Sequence, residues 1–293
     1  MATNKIIVTG AGGQLGRELK ELSGGYPSFD FIFLSREDLP IEDAARTLAF
    51  FETNQPAYCI NCAAYTAVDK AETEKEAAFL INGIAVGSLA AACRGVNARF
   101  IHISTDYVFD GSSSVPLKEG DPTGPINVYG ASKWQGEQLA LQHNPETVII
   151  RTSWVYSEFG NNFVKTMIRL MKERESINVI NDQIGSPTYA ADLAAVIGQI
   201  VSGTVFIPGI YHYSNEGQIS WYDFAVAIKE LTGSACIVNP IPGSQYPTPA
   251  KRPHYSLLDK SLIRSIYGIK IPAWRDSLAV CMKRLTAMNA VKG

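Results

Sequence analysis

Short apolar runs punctuate the first half of the chain, at residues 5–9, 29–34, 58–61, 99–104 and 147–151. Each is rich in Ile, Val, Phe or Tyr with little polar interruption, the pattern of a strand buried on both faces. Between them, over residues 14–22, 44–52, 74–94 and 129–142, the pattern is that of helices. Strands of this kind alternating with amphipathic helices predict an α/β fold, a doubly wound parallel sheet with helices on both faces. The second half is less regular. Residues 162–174, 190–201, 221–231 and 274–288 read as helices, and residues 178–180, 211–213 and 237–238 as short strands. A loop over 239–252 carries Pro240, Pro242, Pro247 and Pro249. This half is expected to form a smaller C-terminal α/β lobe that closes over the carboxyl edge of the sheet.

Composition narrows the class. Of 293 residues, 46% are hydrophobic and 18% charged, enough for a large core and against disorder. The net charge of −2 and the lack of a basic run give no attraction for nucleic acid or an anionic membrane. The start, MATNKIIVTG, has no basic leader followed by a long apolar segment, and no 18-residue apolar stretch is apparent, so neither a secretory signal nor a membrane span is expected. Five cysteines, an odd number, suit a reducing, cytoplasmic compartment. Cys59 and Cys62 form a C-x-x-C inside an apolar run, where they read as small buried hydrophobes. The four histidines are scattered, and no metal centre is expected.

Candidate chemistry begins at KIIVTGAGGQLGREL, a strand, a glycine turn and a helix start. Gly10, Gly13 and Gly16 provide a sharp turn, close backbone approach to a pyrophosphate and tight helix–sheet packing, while the helix N-terminus offers N–H groups to phosphates. The pattern predicts a Rossmann-type nicotinamide cofactor site, and the G-x-x-G-x-x-G spacing resembles that of the short-chain dehydrogenases. At the tip of the next strand come Ser35 and Arg36, before Glu37 and Asp38. An Arg there can accept a 2′-phosphate, so NADPH is expected to be accepted at least as well as NADH. After the third strand, Ala63 and Ala64 are small enough for a cofactor to lie over the sheet edge.

The fourth apolar run ends in Ser104, Thr105, Asp106 and Tyr107, and PINVYGASK follows with Tyr129 and Lys133. On a helix, positions i and i+4 share a face. A phenol with a pKa near 10 transfers protons poorly at neutral pH. Bringing it to about 7 takes roughly 4 kcal/mol, which a neighbouring ammonium helps to supply. Thr105, Tyr129 and Lys133 are therefore the candidate catalytic set: Thr105 holds a carbonyl and Tyr129 protonates its oxygen as hydride arrives from a reduced nicotinamide.

Over nearly its whole length the chain resembles the dTDP-4-dehydrorhamnose reductases, a branch of the extended short-chain dehydrogenases. The likeness runs through TGAGGQLGREL, NCAAYTAVDKAE, STDYVFDG, NVYGASKWQGE, RTSWVY, GNNFVKTM, NDQIGSPT and YPTPAKRP. It implies reduction of a dTDP-4-keto-6-deoxy sugar to dTDP-L-rhamnose by NADH or NADPH. It places Gly13, Gln14, Leu15, Ala64, Tyr65 and Thr66 beside the cofactor, and Thr105, Asp106 and Trp154 at the substrate. Trp154 follows the fifth strand, where an indole offers a flat face and one donor to a deoxysugar. In YPTPAKRP, prolines stiffen the loop and Arg252 is expected to grip the diphosphate with both arms of its fork. Residues 1–153 are expected to bind the cofactor, with segments near 185–215 returning to that domain, and 154–293 mainly the substrate. Some family members dimerise around a magnesium ion held by glutamates. Glu18 matches one such position, but Ala191 stands where another would be, so no metal is assigned and the chain is expected to be a monomer or homodimer. Two alternatives remain: a non-catalytic cofactor-binding subunit like that of methionine adenosyltransferase, and another nucleotide-sugar epimerase or dehydratase. Tyr107 directly after Asp106 argues against the acidic pair that dehydratases carry.

Overall fold

The computed structural model describes residues 4–290. In chain order the strands are β1 (Asn4–Thr9), β2 (Phe29–Leu34), β3 (Tyr58–Asn61), β4 (Arg99–Thr105), β5 (Thr147–Thr152), β6 (Val155–Tyr156), β7 (Ser176–Ile180), β8 (Ile184–Gly185), β9 (Thr188–Tyr189), β10 (Gly209–His212), β11 (Ile219–Ser220) and β12 (Ile237–Ile241). The helices are α1 (Gln14–Ser23), α2 (Ala44–Asn54), α3 (Val68–Ala71), α4 (Lys75–Phe79), α5 (Ala85–Gly95), α6 (Val128–His143), α7 (Phe163–Glu173), α8 (Ala190–Ser202), α9 (Trp221–Thr232), α10 (Ser261–Tyr267) and α11 (Trp274–Ala290).

Six strands form one parallel sheet in the order β2-β1-β3-β4-β5-β10. Alternation along each strand explains the layers. Ile6, Val8, Ile60, Ile101, Val148 and Ile150 face one side, against α1, α8 and α10. Ile7, Cys59, Phe100 and Ile149 face the other, against α2, α5 and α6. Both faces are thus dry, which is why these strands read as unbroken apolar runs. The chain winds from β1 outward to β2 and then back across to β3, so the switch point lies between β1 and β3, where ligands of such sheets bind.

The expected helix over 74–94 is interrupted by a π-type turn at Leu80–Ile84, between α4 and α5. The turn carries Asn82, which is fully buried and bonds away from its own helix. The helical run Lys75–Gly95 is long and apolar enough to cross a membrane by length and composition, correcting the expectation that no such stretch exists. Here Ala85, Val86, Leu89, Ala90 and Cys93 of that run spend their apolar surface against the sheet.

The second half builds its own core from Tyr156, Val164, Met167, Ile177, Phe224, Ile228 and Leu278. Around it are the small pairings β6–β9, β7–β12 and β8–β11. β10 and α8, also from this half, belong to the large sheet and its helical layer.

Candidate active site

A cleft of about 990 Å³ opens at the carboxyl edge of the sheet. At one end lies the β1–α1 turn. Gly10 has φ +67°, and a Cβ there would come within 2.5 Å of Ala63 N. A Cβ on Gly16 would meet Gly10 O at 2.5 Å. Glycine is thus required at both points, at the first to let β1 and β3 approach and at the second to seat α1. Gly13 caps α1 without any side-chain bond, leaving the first helical N–H groups for a ligand. Gly10, Gly13, Gln14, Leu15, Ala63, Ala64, Tyr65 and Thr66 all line the cleft. Gly16 is not among the lining residues, since its place is in helix packing. Ser35 also lies off the cleft, with its N–H and hydroxyl both bonded to Asp38 (2.8 and 2.7 Å). Arg36 reaches the rim, 76% exposed and paired with Glu42 at 2.7 Å.

Thr105, Asp106, Tyr129 and Lys133 all line the same cleft. β4 delivers Thr105 and Asp106 at its end, and α6 delivers the other two from its first turns. α6 starts where it does because Asn127 Oδ1 accepts from the Gly130 N–H (2.7 Å). Asn127 Nδ2 meanwhile donates to Lys251 O (2.7 Å), tying this start to the YPTPAKRP loop. Thr105 Oγ1 accepts from Tyr107 N (3.2 Å) and donates to Asp106 Oδ1 (3.1 Å). The Tyr107 ring stands edge-on to that of Tyr129, with centroids 5.7 Å apart. Ser104 Oγ, buried on the cleft wall, has no hydrogen-bond partner among the described residues.

Burial governs the electrostatics. It pushes Tyr129 up to about 12, aided by the Asp106 charge and opposed by the Thr105 hydroxyl. It pulls Lys133 down to about 8, against the carboxylate of Glu137. It raises Asp106 to about 6, against the hydroxyls of Ser256 and Thr105. The expected acidification of the phenol by Lys133 is not found: burial is the largest influence on Tyr129, Thr105 rather than Lys133 opposes it, and the phenol stays protonated through neutral pH. Glu137 is itself locked in a buried two-armed pair with Arg151 of β5 (2.9 and 2.7 Å).

The far wall is aromatic. Trp154 sits in left-handed backbone, φ +48°, a strained conformation for so large a side chain. It stacks on Trp221 with centroids 3.7 Å apart, and Phe163 packs on Trp221 at 4.6 Å. All three line the cleft. Trp221 and Phe163 were legible only as helix starts. Arg252 is not on the cleft lining. Its fork is taken by Asp69 (3.1 and 2.9 Å), which also accepts from Ala250 N (3.2 Å). Asn82 was missed as well. Its amide accepts from Tyr65 N (2.8 Å) and donates to Tyr65 O and Ser132 Oγ (both 3.0 Å), joining the cofactor-side loop to α6.

Away from the cleft, Glu18 is buried and pushed up to about 8 by burial and by Glu158. Arg284 reaches Glu18 (3.3 Å), Glu21 (3.2 Å) and Glu158. Among the described residues, no three His, Cys, Asp or Glu side chains gather as a metal site.

The family model for the RmlD substrate binding domain matches residues 4–287. The chain belongs to the RmlD family. A dTDP-4-dehydrorhamnose reductase of Aggregatibacter actinomycetemcomitans is 42% identical over 284 residues, covering 94% of this chain and 97% of that protein. Among solved structures, a dTDP-4-dehydrorhamnose reductase of Clostridium acetobutylicum superposes with a TM-score of 0.93 at 41% identity, over 96% of this chain and 99% of that one. The enzyme of Bacillus anthracis, solved in complex with NADP, gives 0.91 at 38% identity, over 98% and 99%.

Proposed function

We propose that this RmlD-family chain reduces the 4-keto group of dTDP-4-dehydro-6-deoxy-L-mannose to dTDP-L-rhamnose, with NADPH or NADH as reductant. The observation that carries the reading is the meeting of Thr105, Tyr129 and Lys133 in one cleft with an uncapped, glycine-turned helix N-terminus. Gly10, Gly13, Gln14 and Leu15 would hold the cofactor's phosphates, with Ala63, Ala64, Tyr65 and Thr66 beside it. When bound, the cofactor supplies the hydride. Tyr129, kept protonated by burial, gives its proton to the carbonyl oxygen, and the Thr105 hydroxyl orients that oxygen. Trp154 offers the deoxysugar a flat face, and Asp106 an acceptor. Arg252 stands ready to exchange Asp69 for the substrate's diphosphate. Arg36 at the rim supports acceptance of NADPH at least as well as NADH.

The division of labour we infer gives residues 1–153 and the returning segments near 185–215 to the cofactor, and most of 154–293 to the sugar. The partners are dissolved small molecules rather than nucleic acid or membrane. We infer a cytoplasmic protein, a monomer or homodimer.

The test is turnover of dTDP-4-dehydrorhamnose with each nicotinamide in turn, the product identified by mass and NMR. Stoichiometric loss of dihydronicotinamide absorbance with formation of dTDP-rhamnose is the expected result. Conversion without net oxidation would instead make the chain an epimerase or dehydratase.

A further inference from the structure

A chain of buried polar groups runs across the sheet beneath the cleft. Thr9 Oγ1 and the Ala63 N–H both donate to Asn61 Oδ1, at 2.6 and 3.1 Å. Asn61 Nδ2 meets His102 Nδ1 at 3.1 Å, and His102 Nε2 faces Lys133 Nζ at 3.4 Å. Lys133 Nζ also donates to Ile103 O at 2.6 Å. Thr9, Asn61 and His102 lie on three adjacent strands, and with Lys133 none is more than 2% exposed.

The hydrogens of this chain follow from its fixed end. A backbone N–H can only donate, so the carbonyl oxygen of Asn61 must face Ala63 and its NH2 must face His102. That NH2 has only hydrogens to offer, so His102 Nδ1 accepts. Burial and the nearby Lys133 hold His102 well below its usual pKa, so the ring is neutral and its single proton sits on Nε2. The Nε2–H therefore points at Lys133 Nζ. An ammonium has no lone pair to receive it, whereas an amine has one.

We propose that His102, fixed by Asn61 as its Nε2–H tautomer, is a positioning residue that donates a hydrogen bond to Lys133 Nζ and steadies the uncharged amine. The proposal rests on reading Lys133 as a working group of the site. The other charged or titratable groups around Lys133 are Tyr129, one turn back on the same helix, Glu137, also on that helix, and Cys62, just past β3. Glu137 favours the ammonium, but Arg151 occupies both its oxygens. The functional consequence concerns the reset after each turnover. Once Tyr129 has protonated the sugar oxygen, the phenolate must regain a proton, and a lysine whose amine is already supported releases one more readily.

The experiment uses cofactor-free protein, so it does not depend on turnover. Nitrogen-15 spectra of labelled histidine report which ring nitrogen of His102 is protonated, and a carbon-13 titration follows the Lys133 ε-carbon. Nε2 is expected to carry the proton. His102→Phe, which removes the donor, should raise the Lys133 midpoint by roughly 1 unit. His102→Gln, whose amide can return an N–H toward Nζ, should recover part of that shift. Asn61→Asp should move the proton to Nδ1 and raise the midpoint as well. A proton on Nδ1 in the unaltered protein, or a Lys133 midpoint unmoved in folded His102→Phe, would overturn the proposal. Where a variant fails to fold, the tautomer of the unaltered protein decides. Lys133→Met separates the two claims: full turnover there would remove Lys133 from the chemistry while leaving the tautomer result standing.

Discussion

The packed support behind the cleft and the exposed loops around it use the same chemistry on different terms, and two arginine forks make the contrast plain. Arg151 and Glu137, packed behind the cleft lining, are 2% and 0% exposed. Arg252 and Asp69, outside the cleft lining, are 22% and 41% exposed. Both pairs are two-armed. In the packed pair, each ion has lost its water and depends on its partner, so the pair fixes α6 against β5 and cannot exchange. In the exposed pair, water competes with each partner, so that pair opens at smaller cost. Arg151 and Glu137 stand on a strand and a helix, whereas Arg252 stands on a loop.

The sharpest test is Tyr129→Phe. With the proposed proton donor removed, kcat should fall by about 10²–10⁴-fold with cofactor affinity nearly unchanged, as measured by steady-state kinetics and a cofactor titration. Breaking the buried fork comes next. Glu137→Ala leaves Arg151 charged and unpaired, and should cost about 3–5 kcal/mol in denaturant unfolding. A loss under about 1 kcal/mol would mean that the packed pair is no more demanding than the exposed one.

A third test uses pH. The folded Asp106 carboxyl titrates at about 6, above its ordinary 3.8, so the native state holds this proton more tightly than the unfolded chain. Its contribution is complete below about 4 and is lost as pH rises through 6, with a slope of at most about 1.4 kcal/mol per pH unit. Asp106→Asn should flatten the stability curve across that interval. The smallest expected effect is at the exposed pair. Arg252→Ala should change unfolding free energy by less than about 1 kcal/mol and raise the KM for the nucleotide sugar about tenfold. An unchanged KM would take Arg252 out of the site.

What could be read from the sequence tracks the range of the interaction involved. Tyr58–Asn61 has the expected limits because burial on both faces leaves a continuous buried run, and Phe29–Leu34 has them too, although Asp30 interrupts that partly exposed edge strand. Tyr129 and Lys133 were legible as a pair because four residues on a helix fix their shared face. The π-type turn at Leu80–Ile84 was not, since one widened turn barely changes the apolar pattern. α10 (Ser261–Tyr267) and the two-residue strands are too short to leave a periodic signal. The partner of Arg252 lies 183 residues away, and the stacking of Trp154 on Trp221 also arises only in the folded chain. His102 looked like an isolated histidine in an apolar run. Its neighbours Asn61 and Lys133 reach it across strand order and helix packing, which no local spacing reveals.

The return of β10 to the outer edge of β5 limits how the molecule can be taken apart. A fragment ending at Ser153 would leave the backbone of β5 open along that edge, a template for pairing with other chains. It would also strip Leu193, Ile197 and Ile200 from the apolar surface of Val148 and Ile150. Such a fragment should aggregate rather than bind nucleotide alone. A chimera that borrows another protein's sugar-recognising lobe must therefore leave α8 and β10 native, with seams on either side of them rather than a single cut.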